Sequence, residues 1–307
     1  MDQFISYAQN FEDVVLWRAL KHVKAGFYVD CGAYSPTCHS VTRAFYERGW
    51  RGINIEPVPH LLHDFEQQRP DDINLNIAVS DHADRAMFYE ILDTGLSTFS
   101  PETAQAHIEA GFIAHGIEVR TASLSEVLVE HAPEAIHFLK VDVEGAEKLV
   151  LRGLDLNSFR PWIIMVEAVR PQTQEPSHGD WESILLTQGY NFTHFDGLNR
   201  FYVAKEHPEL CAALVLPPNI FDNFVQVEHL TALENVQQEL ALLKRSSSWR
   251  MTAPVRNAKL ACQALRDGFP ESVTAFFRRS APAKRRPSGA FVFDLSNGPA
   301  KRIVRHS

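Results

Sequence analysis

The stretch Phe27-Tyr28-Val29-Asp30-Cys31-Gly32-Ala33-Tyr34-Ser35-Pro36 constrains this chain more than any other. An apolar run closing on Asp-x-Gly, followed by a helical pattern over about 39–48, predicts the strand and turn that open a nucleotide-type α/β domain. The glycine lets the backbone come close to a ligand, and unpaired N–H groups at the helix start suit an anionic group. G-x-G-x-x-G itself is absent, because Pro36 stands where a later glycine would serve a dinucleotide pyrophosphate. By itself the turn reads equally well as an ordinary strand-to-helix connection.

The chain that follows repeats the pattern. Gly52-Ile53-Asn54-Ile55-Glu56 predicts a second strand, with Glu56 placed 26 residues after Asp30. That is where a nucleotide-binding sheet sets the acid that accepts hydrogen bonds from ribose hydroxyls. After a helix at about 60–68, residues 72–81 read as a third strand ending in Ser80-Asp81, and the segment 84–98 alternates enough at Ala86-Met87-Phe88-Tyr89-Glu90-Ile91 to be a fourth, with a loop at Gly95-Leu96-Ser97-Thr98. A short helix over 101–116, bounded by Gly111 and Gly116, and a short strand at 118–121 come next. Ser123 with Glu126 three residues on marks a capped helix start. Ile136-His137-Phe138-Leu139-Lys140-Val141-Asp142 and Trp162-Ile163-Ile164-Met165-Val166-Glu167 each predict a buried strand ending in an acid, with helices at 145–152 and 179–188. Strands at 190–195 and 200–204, joined by Asp196-Gly197-Leu198-Asn199, predict a hairpin. Four strand-ending acids (Asp30, Glu56, Asp142, Glu167) are thus expected on one rim, an arrangement tolerated where a ligand, proton or cation uses it.

Either side of this block the signals are plainer. Residues 6–24 read as an amphipathic helix, with Phe11, Val14, Val15 and Ala19 on one face. Its polar start, Gln9-Asn10 with Glu12-Asp13, suits capping or closure over a bound ligand. After Leu216-Pro217-Pro218, apolar residues recur every three to four positions from Phe224 to Leu243, which suits a folded-back helix or a short coiled coil. The rest is basic: residues 245–307 hold 13 Lys/Arg against three Asp/Glu, a net +10, and residues 1–244 carry −18. Such a segment is solvated and mobile, or meets anionic lipid, nucleic acid or an acidic partner. Pro282-Ala283-Lys284-Arg285-Arg286-Pro287-Ser288-Gly289 reads as disorder. The four cysteines have neither C-x-x-C nor zinc spacing and suit a reducing compartment. With no signal-peptide pattern and no bilayer-length apolar run, a cytoplasmic protein is expected.

Five strings in order carry a resemblance to a known family: Ser6-Tyr7-Ala8-Gln9-Asn10-Phe11-Glu12-Asp13, Phe27-Tyr28-Val29-Asp30-Cys31-Gly32-Ala33, Gly52-Ile53-Asn54-Ile55-Glu56-Pro57, Leu139-Lys140-Val141-Asp142-Val143-Glu144-Gly145-Ala146-Glu147 and Asp196-Gly197-Leu198-Asn199-Arg200-Phe201-Tyr202-Val203. Over about residues 4–206 the chain resembles the FkbM-type methyltransferases. The resemblance implies an α/β fold of Rossmann-like class I type: a seven-stranded, mostly parallel sheet with a C-terminal antiparallel hairpin. The domains expected are a methyltransferase domain over 1–210, an amphipathic helix or coiled coil over 211–245, and a flexible basic tail over 246–307. It also implies S-adenosyl-L-methionine as cofactor and O-methylation of sugars or natural products. Many members carry Asn-Asp after the Gly-Ala; here Tyr34-Ser35 stand there, so contacts at the methionine end of the cofactor are expected to differ. Ser248-Trp249-Arg250-Met251-Thr252-Ala253-Pro254-Val255-Arg256 resembles a short segment of bacterial glycan-assembly proteins, found beside glycosyltransferase domains.

From this reading Asp30, Gly32 and Ala33 are expected under the methionine half of the cofactor and Glu56 on the ribose. Ser80 and Asp81 would flank the adenine, and Gln9, Asn10, Glu12 and Asp13 would close the pocket. A sugar hydroxyl needs a base to take its proton. Asp142 and Glu167 are the expected catalytic pair, either directly or through a divalent cation; no metal ligands are assigned, and His194 is a weaker base. The expected partners are a sugar or glycan acceptor and a glycosyltransferase or glycan-assembly protein met through the C-terminal helix and tail, with no nucleic acid. A nucleotide-sugar glycosyltransferase, argued from Asp142-Val143-Glu144, and a non-catalytic docking module are the competing readings.

Overall fold

The computed structural model describes residues 3–266 except residue 172. These described residues fall into two compact units, divided between Glu234 and Asn235. In order the elements are β1 (Phe4–Ser6), α1 (Glu12–Leu20), β2 (Phe27–Cys31), α2 (Arg43–Tyr46), β3 (Arg51–Ile55), α3 (Pro59–Gln68), β4 (Ile73–Leu75), β5 (Ala78–Ser80) and β6 (Asp84–Ile91). Then come α4 (Pro101–Glu109), β7 (Ala114–Ser123), α5 (Leu124–His131), β8 (Phe138–Val141), α6 (Glu147–Arg152), β9 (Ile163–Glu167), α7 (Glu182–Thr187), β10 (Tyr190–Phe195) and β11 (Asn199–Ala204). Last are α8 (Cys211–Leu214), β12 (Phe224–Gln226), α9 (Val227–Arg245), α10 (Ser247–Met251) and α11 (Ala253–Arg266).

Seven strands form one mixed sheet in the order β10-β11-β9-β8-β2-β3-β4. Neighbours from β9 to β4 run parallel, and β11 is antiparallel to both β9 and β10. The mixed α/β class with a multi-strand sheet is as expected. The two-residue period of strands sorts the buried side chains onto two faces. Val29, Cys31, Leu139, Val141, Ile164 and Val166 pack with α5, α6 and α7, while Tyr28, Phe138, Ile163 and Met165 pack with α1, α2 and α8. Asp30, Lys140 and Glu167 share the register of the second set, so their charges emerge on the face that α1 covers.

Several elements depart from expectation for local reasons. Residues 72–81 are two strands, because Asn76 Nδ2 donates to the carbonyls of Glu56 and Pro57 and the chain then changes sheets. β5 joins a separate sheet in the order β5-β7-β6. The helix expected over 101–116 stops at Glu109, and Gly111, at φ 97°, turns the chain into β7, so Gly116 is a strand residue. α1 starts only at Glu12: Asp13 accepts from Ser6 Oγ and from the N–H groups of Tyr7 and Ala8, which holds that segment off the helix. α5 has the expected capping box of Ser123 and Glu126. The first unit extends past residue 210 to Glu234, and Leu210 and Leu214 are buried in it. Of the segment read as a basic tail from residue 246, the described residues form α10 and α11, and the Pro282–Gly289 reading falls outside them.

The β3–β4 edge is held by a buried ion pair. Arg69 Nε lies 2.9 Å from Asp72 Oδ2, Tyr28 Oη donates to the same oxygen at 2.6 Å, and Asp72 Oδ1 accepts from Gly52 N. Removing the carboxylate strands a buried guanidinium. Asp72→Ala is therefore expected to cost ~3–5 kcal/mol in urea unfolding, and a loss under ~1 kcal/mol would assign the edge to apolar packing instead.

Candidate functional site

The carboxyl ends of β2, β3 and β8 open into one cavity of about 340 Å³. Each strand supplies its wall through a specific local device. Gly32 leaves β2 at φ 79°, and a Cβ there would sit 1.8 Å from the Asp142 carbonyl oxygen. Only glycine permits the ends of β2 and β8 to come this close. Gly32 N and Ala33 N both donate to Ile55 O at 3.2 Å, which ties the turn to β3.

Glu56, just past β3, is buried and lines the cavity. Its Oε2 accepts from Tyr34 N at 3.0 Å and its Oε1 from Val58 N at 2.9 Å. A carboxylate offers about four acceptor positions, so two remain for ligand hydroxyls. Burial pushes its carboxyl up to about 7, against the two N–H bonds that favour the charged form. Glu12 is also buried in the wall, with Oε1 on Asn199 Nδ2 at 3.0 Å and Oε2 on Asn10 N at 2.8 Å. Burial, and then Asp196, raise it to about 7.

Lys140 is the centre of charge. Its Nζ donates to Gly32 O at 2.9 Å and lies 3.2 Å from Asp30 Oδ1 and 3.3 Å from Asp142 Oδ2. Burial disfavours the ammonium, but Asp142 and Asp30 more than offset this and hold it well above the usual lysine range. Asp142, Glu144 and Glu167 present carboxylate oxygens within 4.8 Å of one another, a set that could hold a divalent cation. Burial, followed by the neighbouring acids, raises both Glu144 and Glu167. Their Oε2 atoms have no hydrogen-bond partner among the described residues.

Of the expected site residues, Gln9, Glu12, Gly32, Ala33, Glu56 and Asp142 line the cavity, and Glu167 adjoins it through Asp142 and Glu144. Asp30 stands behind the wall, its Oδ2 accepting from Thr42 Oγ1. Asn10 and Asp13 act on the frame: Asn10 Nδ2 donates to Asp196 O, tying the N-terminal segment to the β10–β11 turn. Ser80, Asp81 and His194 are not among the lining residues. Because the strand beside β3 ends at Leu75, Ile77, Ala78 and Val79 line the cavity instead of Ser80 and Asp81. Sequence reasoning missed Lys140, whose signal was a lysine inside an otherwise apolar strand. The 93–97 loop also lines the cavity, pinned where Thr98 Oγ1 donates to Glu144 O at 3.0 Å, and its sequence carries no readable pattern.

The cavity lies at the carboxyl edge of a largely parallel sheet, where open α/β sheets bind ligands, and among the described residues its wall carries several carboxylates and one ammonium. Residues 30–192 match the family described as Methyltransferase FkbM domain, and the chain belongs to it. The membership supports a methyltransferase. No curated protein matches the chain, and no described helix is long and apolar enough to cross a membrane.

The two buried glutamates set a pH dependence. Each is raised from 4.5 to about 7 in the folded protein, so between those values the native state binds more protons than the unfolded chain. The contribution of these two groups to stability is full below about pH 4.5 and is lost as pH rises through 7, by up to ~1.4 kcal/mol per pH unit for each group. Urea midpoints of the ligand-free protein are expected to fall from pH 5 to 8, and Glu12→Gln to flatten the slope. A slope of opposite sign would contradict this placement of the acids.

Proposed function

We propose that the protein is an S-adenosylmethionine-dependent O-methyltransferase acting on a hydroxyl of a sugar or glycan, on a Rossmann-like class I sheet, in cytoplasmic polysaccharide or glycolipid assembly. The carrying observation is the shared cavity of the Gly32 turn and Glu56 at the ends of adjacent parallel strands. Strand order supports the class I reading, with β11 antiparallel to both its neighbours.

The residues suit that cofactor. Glu56 has free acceptor positions for two ribose hydroxyls, and Leu61, Ile77, Phe88 and Phe99 give an apolar wall for a base. Gly32 and Ala33 let the backbone approach the methionine half. When bound, the cofactor supplies an activated methyl group for in-line displacement. The protein's own part is to orient the acceptor and remove one proton. Asp142, a third exposed and paired to Lys140, is the carboxylate that meets the cavity and takes the hydroxyl proton. Glu167, whose carboxyl burial and then the neighbouring acids raise, stands beside Asp142 and Glu144 and supports Asp142 in orienting the acceptor. A nucleotide-sugar glycosyltransferase loses support, because among the described residues no arginine lines the cavity and the one lysine that does is committed to Gly32, Asp30 and Asp142.

Calorimetry is expected to show donor binding that Glu56→Ala abolishes. Asp142→Asn is expected to keep donor binding and slow transfer ~10²–10⁴-fold, measured with labelled donor and a bacterial glycolipid extract. Donor binding unaffected by Glu56→Ala, or full turnover in Asp142→Asn, would sink these assignments.

A further inference from the structure

We infer that the α10–α11 segment is a docking surface for an anionic lipid bilayer. Between Glu239 and Asp267 the chain contains no acidic residue, yet it carries Lys244, Arg245, Arg250, Arg256, Lys259 and Arg266. Lys244, Arg245, Arg250 and Lys259 are exposed, and none has an ion-pair partner among the described residues. Solvation of a charged surface explains the cations alone. It does not explain the large apolar side chains set among them: Met251 is 75% exposed and Val255 72%.

The local geometry arranges the two kinds of residue side by side. Ser246 Oγ caps α10 by accepting from Trp249 N. Arg256 folds back to stack 3.7 Å over the Trp249 ring and donates to Trp249 O, which closes the α10–α11 corner. Along α11, Val255, Ala258 and Cys262 recur at i, i+3 and i+7, and Arg256, Lys259 and Gln263 run beside them at the same spacing. Met251 precedes Val255 by one turn.

An apolar stripe flanked by lysine and arginine is how a helix lies in a bilayer interface: apolar groups enter the acyl boundary while basic groups reach anionic headgroups. A nucleic acid would reward the cations but leave the apolar stripe in water. The partner's chemistry is therefore a fluid apolar layer with a negative rim, and the occupant is the membrane surface.

The test uses the purified full chain in co-sedimentation with vesicles of phosphatidylcholine, with and without phosphatidylglycerol. Partition onto the phosphatidylglycerol vesicles is expected to exceed that onto neutral ones at least tenfold, and to collapse in high salt. Arg250→Glu with Lys259→Glu is expected to lower it about tenfold or more, and so is Met251→Asp with Val255→Asp. All four positions are exposed, and unchanged thermal unfolding of the variants would show that the fold is kept. Equal binding to neutral vesicles, or binding untouched by either variant pair, would overturn the inference. Loss with charge reversal alone, together with tighter binding to a duplex oligonucleotide, would overturn it in favour of a purely electrostatic partner.

Discussion

The site depends on one buried ammonium. Lys140 Nζ binds the Gly32 carbonyl and faces Asp30 and Asp142, so a single cation ties the turn after β2 to the end of β8. Burying a charge is costly unless it is paired and hydrogen-bonded. Here the pairing comes from strand register, which sets Asp30 directly beside Lys140. The same register puts both residues on the face covered by α1, which carries Glu12. Backbone pairing, ion pair and cavity wall are one construction.

That ammonium is outnumbered. Glu12, Glu56, Asp142 and Glu144 line the cavity, with Glu167 adjoining it. Burial raises the carboxyls of Glu12, Glu56, Glu144 and Glu167, and so keeps several of them protonated near neutrality. Repulsion is relieved by protons the site can release, and a ligand bearing positive charge would favour their release. A methyl donor that is a sulfonium, and an acceptor that must lose a proton, both suit this setting.

The positions of β2, β3, β8, β9 and the β10–β11 hairpin were legible, because each is an apolar run with an acid, glycine or turn residue at its end. So was the capping box at Ser123, a purely local pattern. Legibility failed at Asn76, where two side-chain hydrogen bonds break what looks like one strand and move Ser80 and Asp81 out of the cavity wall. It failed again over residues 6–11, where the pairing of Ser6 with Gln226 and the Asp13 carboxylate override a helical pattern. Lys140 shows the intermediate case: its oddity was visible in an apolar strand, but its three partners were not.

The order of residues alone determined the two-residue alternation that makes a two-faced sheet, the glycine at the β2 exit and the basic, acid-free run after Glu239. These are properties of neighbouring residues, fixed by backbone sterics and side-chain period. Tertiary structure decided which carboxylates share a cavity and which stand behind it, how Glu12 meets Asn199, and how the 93–97 loop closes the wall. Those outcomes depend on contacts between residues far apart in the chain, whose energies come from burial and register that no local pattern encodes.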